Sequence, residues 1–208
     1  MTILYDSRNS GNGWKIRQLL SLLGLPYERR ILNLAAGESR TPEFLAINPQ
    51  ARVPVLREAD GLVLRESNAI LAHLAQGTPY LPDARAARAE VMQWLFFEQF
   101  DHLRNFARPR FLVSIARSAA ADSPEVLALR EQGVKALAVM EAHLAGRDYL
   151  AGGAYTIADI ATLPWVRNLV GFYGAGDLVE FGQFKEVQRV LDAFVARPAV
   201  AKGLTIPG

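Results

Sequence analysis

Over the first 76 residues the apolar positions change period several times. Thr2 to Tyr5 reads as a short strand. Ile16, Leu19, Leu20 and Leu23 then recur at helical spacing, and Gly24 follows as a C-cap. Tyr27 to Leu32 reads as a second strand. Thr41-Pro42-Glu43-Phe44 opens a short helix, with threonine at the N-cap and proline in the first turn. Val53 to Arg57 and Leu62 to Leu64 read as two strands joined by a turn at Asp60-Gly61, and a helix from about Glu66 to Ala75 follows. The order β-α-β-α-β-β-α predicts a small mixed sheet whose first two strands, joined through a helix, run parallel.

The pattern changes near residue 80. Gly77-Thr78-Pro79-Tyr80-Leu81-Pro82 reads as a linker, and beyond it only helical spacings occur. Val91, Trp94 and Leu95 mark a long helix running past Phe106. Val126, Leu129, Gly133, Leu137, Met140 and Leu144 mark another, and Phe184, Val187, Leu191 and Phe194 a third that stops at Pro198. The expectation is an α/β domain over residues 1–76, a linker over 77–85 and an all-helical bundle over 86–208. Trp94, Phe96, Phe97 and Phe100 read as core or dimer contact.

Composition acts mainly by exclusion. The chain has 208 residues, half of them apolar and 21% charged, which fits a soluble globular protein. Net charge is only +2 and no Lys/Arg block resembles a phosphate-tracking stripe, so nucleic acid is not an expected partner. There is no cysteine, which removes disulfides, thiolate metal ligands and a cysteine nucleophile. His73, His102 and His143 stand far apart, without metal-ligand spacing. No apolar run approaches the roughly 18 residues of a membrane span. The stretch Met1 to Asp6 lacks the basic and apolar regions of a signal peptide, so a cytoplasmic protein is expected.

Two sites carry candidate chemistry. Proline cannot donate to a ladder, so a strand opening with Val53-Pro54 marks an edge where the Val53 backbone can pair with an extended ligand. Glu66-Ser67 opens a helix, and helix N-termini hold carboxylates. Together they would hold a small peptide by its backbone and its carboxylate. Read singly, Val53-Pro54 is an ordinary edge-strand proline and Ser67 an N-cap. Ser10-Gly11-Asn12-Gly13 lacks the Gly-Lys-Ser/Thr ending of a phosphate loop. Thr156-Ile157-Ala158-Asp159 has the form of a capping box.

Taken in order, Ser10-Gly11-Asn12, Asn48-Pro49 through Val53-Pro54, Glu66-Ser67-Asn68-Ala69-Ile70-Leu71 and Thr156-Ile157-Ala158-Asp159 resemble the cytosolic glutathione transferases over essentially the whole chain. The resemblance is to bacterial-type members with a serine or asparagine at the active site and no catalytic cysteine. It implies a thioredoxin-like domain that binds glutathione, and a helical domain that supplies much of the electrophile pocket. Carried over by position, Val53 pairs with the cysteinyl part. Glu66 faces the γ-glutamyl ammonium group and Ser67 its carboxylate. Arg52 lies near the glycyl carboxylate, with Arg40 and Gln50 as weaker candidates. Trp14, Phe106, Arg110 and Trp165 are the candidates for the electrophile pocket, although a solvated face is the simpler reading of Arg110. The resemblance also implies a homodimer and no metal.

A free thiol with a pKa near 8.5 is only a few per cent thiolate at neutral pH, so activation means stabilising the thiolate. Lowering the pKa by about two units takes about 2.7 kcal/mol. One hydrogen bond to a charged group supplies roughly 1.5–3 kcal/mol, and a helix N-terminus up to about 1. Ser10 is the first candidate for the donor, Asn12 the second, and Tyr5 the rival. The absence of cysteine argues against the thiol-exchange chemistry of some bacterial classes. The expected activity is transfer of glutathione to a small, hydrophobic electrophile. The alternative is a catalytically silent binding or regulatory protein of the same fold.

Overall fold

The computed structural model describes residues 1–205, and its contacts divide the chain into two units. The first comprises Met1–Gln76 and the segment beginning at Arg197; the second is Gly77–Ala196.

In the first unit the elements run β1 (Ile3–Asp6), α1 (Gly11–Leu23), β2 (Glu28–Ile31), α2 (Pro42–Ile47), β3 (Val55–Arg57), β4 (Val63–Arg65) and α3 (Ser67–Leu74). The strands lie in the order β2-β1-β3-β4. β1 runs parallel to β2 and antiparallel to β3, and β3 is antiparallel to β4. This is the thioredoxin-like arrangement. Central β1 is buried at all four residues, as a strand covered on both faces must be. Ile3, Tyr5, Phe44 and Val55 form an apolar cluster, with the Tyr5 and Phe44 rings edge-on at 5.7 Å. Gly24 caps α1 at φ +65°, and the Thr41 hydroxyl accepts the Phe44 N–H at 3.3 Å at the start of α2.

One departure is at the C-terminus. Pro198 ends the preceding helical pattern, but it also opens α9 (Pro198–Thr205), because proline is tolerated in a first turn, where N–H groups have no helical partner. α9 packs against α1 in the first unit, whereas the sequence reading placed this segment with the bundle. With α3 and α9 both packed on it, α1 buries even Lys15 and Gln18.

The second unit is helical: α4 (Arg85–Phe97), α5 (Leu103–Arg110), α6 (Pro124–Leu144), α7 (Ile157–Arg167) and α8 (Lys185–Val195). The long helix read past Phe106 is real in direction but irregular. π-helical turns at Glu98–His102 and Phe111–Ile115 follow α4 and α5, and a third at Asn168–Phe172 follows α7. The last two lie just beyond Pro109 and Pro164, which interrupt their helices' hydrogen bonding. The aromatic group divides: the Trp94 and Phe97 rings meet edge-on at 5.1 Å, while Phe96 and Phe100 are exposed.

α7 is buried from Ile157 to Val166 and forms the middle of the bundle. Its start is a capping box. Asp159 accepts the N–H groups of Thr156 and Leu150, both at 2.9 Å, and the Thr156 hydroxyl accepts the Ala158 N–H. Burial pushes the Asp159 carboxyl up to about 6, against the opposing pull of those hydrogen bonds.

Candidate functional site

The strand register brings most of the expected site residues to one end of the first unit's sheet. Tyr5 faces Val55 across the antiparallel β1–β3 pair, and Val55 faces Arg65 across β3–β4. The chain therefore leaves β1 toward Ser10, enters β3 from Val53 and leaves β4 toward Glu66 and Ser67, all at the same end. β2 ends there too, since Asp6 is level with Ile31, and the chain then runs on to Arg40.

Ser10 is the N-cap of α1, and its hydroxyl oxygen accepts the Gly13 N–H at 2.9 Å. The hydroxyl hydrogen is thus left to serve as a donor, and the bond from Gly13 polarises it. Asn12, half-buried, is in the same first turn. Tyr5 is committed elsewhere: its ring is in the apolar cluster, and Arg30 donates to its hydroxyl at 3.5 Å.

Beneath this turn is a buried ionic cluster that the sequence reading missed. Asp6, wholly buried, accepts from the Arg17 guanidinium, from Arg29 Nε at 3.0 Å and from the Ser7 N–H at 2.7 Å. Arg29 also donates to the Ser7 carbonyl, which in turn accepts the Ser10 N–H at 3.2 Å. Under the Ser10 loop the one Asp6 carboxylate is thus shared by two guanidiniums. Burial lowers the Arg17 pKa, and Asp6 works against that shift. Gly13 is required by the same cluster, because a Cβ there would stand 1.7 Å from Asp6 Oδ1. The available signal was an acid closing an otherwise apolar strand, followed by a glycine inside a helix.

The Val53-Pro54 bond is cis. The β1–β3 ladder ends at Val55, so the Val53 peptide groups lie beyond its last rung. Asn48, 1% exposed, fixes the approach to them. Its side-chain amide donates to the Arg52 carbonyl at 2.8 Å, and its side-chain oxygen accepts the Gln50 N–H at 3.1 Å. Gln50 and Arg52 are exposed, as is Arg40.

Glu66 holds φ +67° and ψ 117°, a region that side chains other than glycine rarely adopt. It, and not Ser67, is the N-cap of α3, and its exposed carboxylate makes no capping bond. Ser67 is the first helical residue and is 3% exposed. The simple N-cap reading of Ser67 therefore does not describe this helix start.

The expected electrophile-pocket residues are less unified. Trp14 is buried in α1 of the first unit. In the second unit, Phe106 and Arg110 come together around one cavity, where Arg110 lies 4.3 Å from the centre of the Tyr173 ring. Trp165 is buried in α7 and does not line that cavity. Among the described residues no group of three or more His, Asp or Glu side chains could hold a metal ion, and no helix is long and apolar enough to cross a membrane.

Residues 1–76 match the family described as glutathione S-transferase, N-terminal domain, and residues 103–198 match its C-terminal domain. Protein URE2 of Eremothecium gossypii is 35% identical, over 97% of this chain and 67% of its own length; the protein of that name in Saccharomyces cerevisiae, 32% identical, is a transcriptional regulator. The disulfide-bond oxidoreductase YghU of Escherichia coli is 30% identical, over 95% of this chain and 72% of its own. The crystal structure of a Pseudomonas putida glutathione transferase, with one glutathione disulfide bound per subunit, superposes with a TM-score of 0.92 at 38% identity. It covers 100% of this chain and 92% of that one. With both domain matches in order and the fold superposing along its whole length, the chain belongs to the glutathione S-transferase family.

Proposed function

We propose that the chain binds glutathione at the shared end of its sheet and activates the thiol for reaction with an electrophile. The observation that carries this reading is the convergence of Ser10, Val53, Glu66 and Ser67 at that end through the strand register. Val53 offers an N–H and a carbonyl to the cysteinyl backbone. The first turn of α3 and the Ser67 hydroxyl take the γ-glutamyl carboxylate, and the exposed Glu66 carboxylate takes its ammonium group. Arg52, with Gln50 and Arg40 nearby in the chain, supplies donors for the glycyl carboxylate. Ser10 donates its hydroxyl hydrogen to the sulfur, with the Asn12 amide as the second candidate. The N-terminus of α1 favours the thiolate, and the Asp6–Arg17–Arg29 cluster fixes the loop that presents Ser10.

The reaction favoured among electrophiles is disulfide reduction, on the strength of YghU's activity and the glutathione disulfide in the Pseudomonas putida enzyme. It needs no cysteine in the chain. One glutathione thiolate attacks a disulfide sulfur and expels the first thiolate; a second attacks the glutathione sulfur of the mixed disulfide, expelling the other and leaving as glutathione disulfide. The regulatory role of the yeast relative supports the alternative of a binding protein without turnover.

The test is steady-state formation of glutathione disulfide from a small symmetrical disulfide, set beside conjugation to an aryl halide. Ser10→Ala is expected to lower both in proportion to the thiolate lost, with the bound thiol's pKa rising by about one to two units. A variant with an unaltered thiol pKa would remove Ser10 from the role. Glutathione binding with no turnover of either substrate would favour the silent reading.

A further inference from the structure

We propose that Asn48 is a positioning residue for glutathione, whose side chain aims the Val53 N–H outward for the ligand. On the proposed function that N–H meets the cysteinyl part of glutathione, and the role of Asn48 rests on that reading. Asn48 and Val53 both belong to the first unit.

Asn48 ends α2 and is 1% exposed, so its amide must find its partners within the protein. It finds them on the loop that follows. Nδ2 donates to the Arg52 carbonyl at 2.8 Å, and Oδ1 accepts the Gln50 N–H at 3.1 Å. The Asn48 main-chain carbonyl accepts the Ala51 N–H at 2.9 Å. Three successive residues are thus bonded to one. The amide fits only one way round, because reversal would set Oδ1 against a carbonyl and Nδ2 against an N–H.

The bond to Arg52 decides where Val53 points. The Arg52–Val53 peptide is trans, so its C=O and N–H point opposite ways in one rigid plane. With the carbonyl turned in toward buried Asn48, the Val53 N–H is turned away from it. That N–H has no hydrogen-bond partner among the described residues, and the β1–β3 ladder reaches only to Val55. The loop does not owe this shape to its own preferences. Ala51 holds φ +55°, in the left-handed region that favours glycine. The two ends of the loop are fixed separately. Arg65 donates to the Ile47 carbonyl through Nε and an amino nitrogen, at 2.9 and 2.6 Å, and Val55 is paired with Tyr5 and Arg65. Between those ends, the bonds of Asn48 set the peptide planes.

The test is glutathione binding by calorimetry, with steady-state kinetics, on the full native chain and Asn48→Asp. Aspartate has the shape of asparagine and keeps the acceptor for Gln50, but it sets a second oxygen against the Arg52 carbonyl and turns that peptide away. Glutathione affinity should fall and its KM rise, each by about tenfold or more, while the bound thiol keeps its native pKa because Ser10 stands on another element. A residue that only held the fold would lower stability and the active fraction at an unaltered KM. Amide exchange gives a check that needs no variant: glutathione should slow exchange of the native Val53 N–H by about tenfold or more. Affinity within about twofold of native in folded Asn48→Asp, or a Val53 N–H that exchanges equally fast with glutathione bound, would overturn the positioning role while leaving glutathione binding intact. A native chain that binds no glutathione would overturn both.

Discussion

Replacing Gly13 by alanine should destabilise this protein, although the same change in a helix interior ordinarily stabilises by about 1 kcal/mol. The new Cβ would stand 1.7 Å from Asp6 Oδ1 and 2.5 Å from its Cγ. Asp6 is wholly buried at the end of β1, and its hydrogen bonds to the Ser7 N–H and Arg29 are 2.7 and 3.0 Å long. Restoring ordinary contact requires the carboxylate to move by well over an ångström, which breaks those bonds. Disrupting a buried ion pair costs about 3–5 kcal/mol. Set against the helix gain, the net loss is about 2–4 kcal/mol. For a chain of this size that corresponds to a fall in Tm of about 5–15 °C. Urea and thermal unfolding of Gly13→Ala measure it directly. The same substitution in an Asp6→Ala background should be neutral or stabilising, because the obstruction is gone. A Gly13→Ala protein as stable as the native one would refute the cluster as the foundation of the Ser10 turn.

Other consequences are open to measurement. Thr156→Ala removes the hydroxyl that accepts the Ala158 N–H and should cost about 1 kcal/mol in urea unfolding; no loss would show that the box contributes little. Asp159 is held at about 6 against an ordinary 3.8, so its folded value lies above its unfolded one. Its contribution is therefore full below about pH 4 and is lost as pH rises through 6, a change of about 3 kcal/mol. The stability advantage of the native chain over Asp159→Asn should shrink by about that amount between pH 4 and 6.5, and a flat or rising difference would contradict the shift. Glu66→Gly relieves the φ +67° backbone and should raise stability by about 1 kcal/mol while weakening glutathione binding; a loss of stability would mean the conformation is not strained.

Much of the fold was legible because local signals agreed with one another. Gly24 and Thr41-Pro42 marked helix ends that the structure has, and the Thr156–Asp159 box is formed as written. The strand order needed only the helix between β1 and β2 and the Asp60-Gly61 turn between β3 and β4. What could not be read arises from tertiary contacts. Asp6, Arg17 and Arg29 are far apart in the chain, and each alone is an ordinary charged residue; only the β1–β2 register and the first turns of α1 bring them together. Lys15 looks like a solvated helix residue until α3 and α9 cover that helix. The positive φ of Glu66 has no sequence signal, because such a backbone ordinarily selects glycine or asparagine and here is held by a glutamate. The cavity beside Arg110 depends on irregular turns whose prolines were visible but whose π geometry was not.

Glutathione binding by calorimetry, with ultraviolet titration of the thiolate on the same sample, tests the central claim most directly. The account predicts binding at or below about millimolar glutathione, a bound thiol pKa about two units below its free value, and loss of affinity in Ser67→Ala and Glu66→Ala. Absence of binding at millimolar glutathione, or unchanged affinity in both variants, would contradict the site at the end of the sheet.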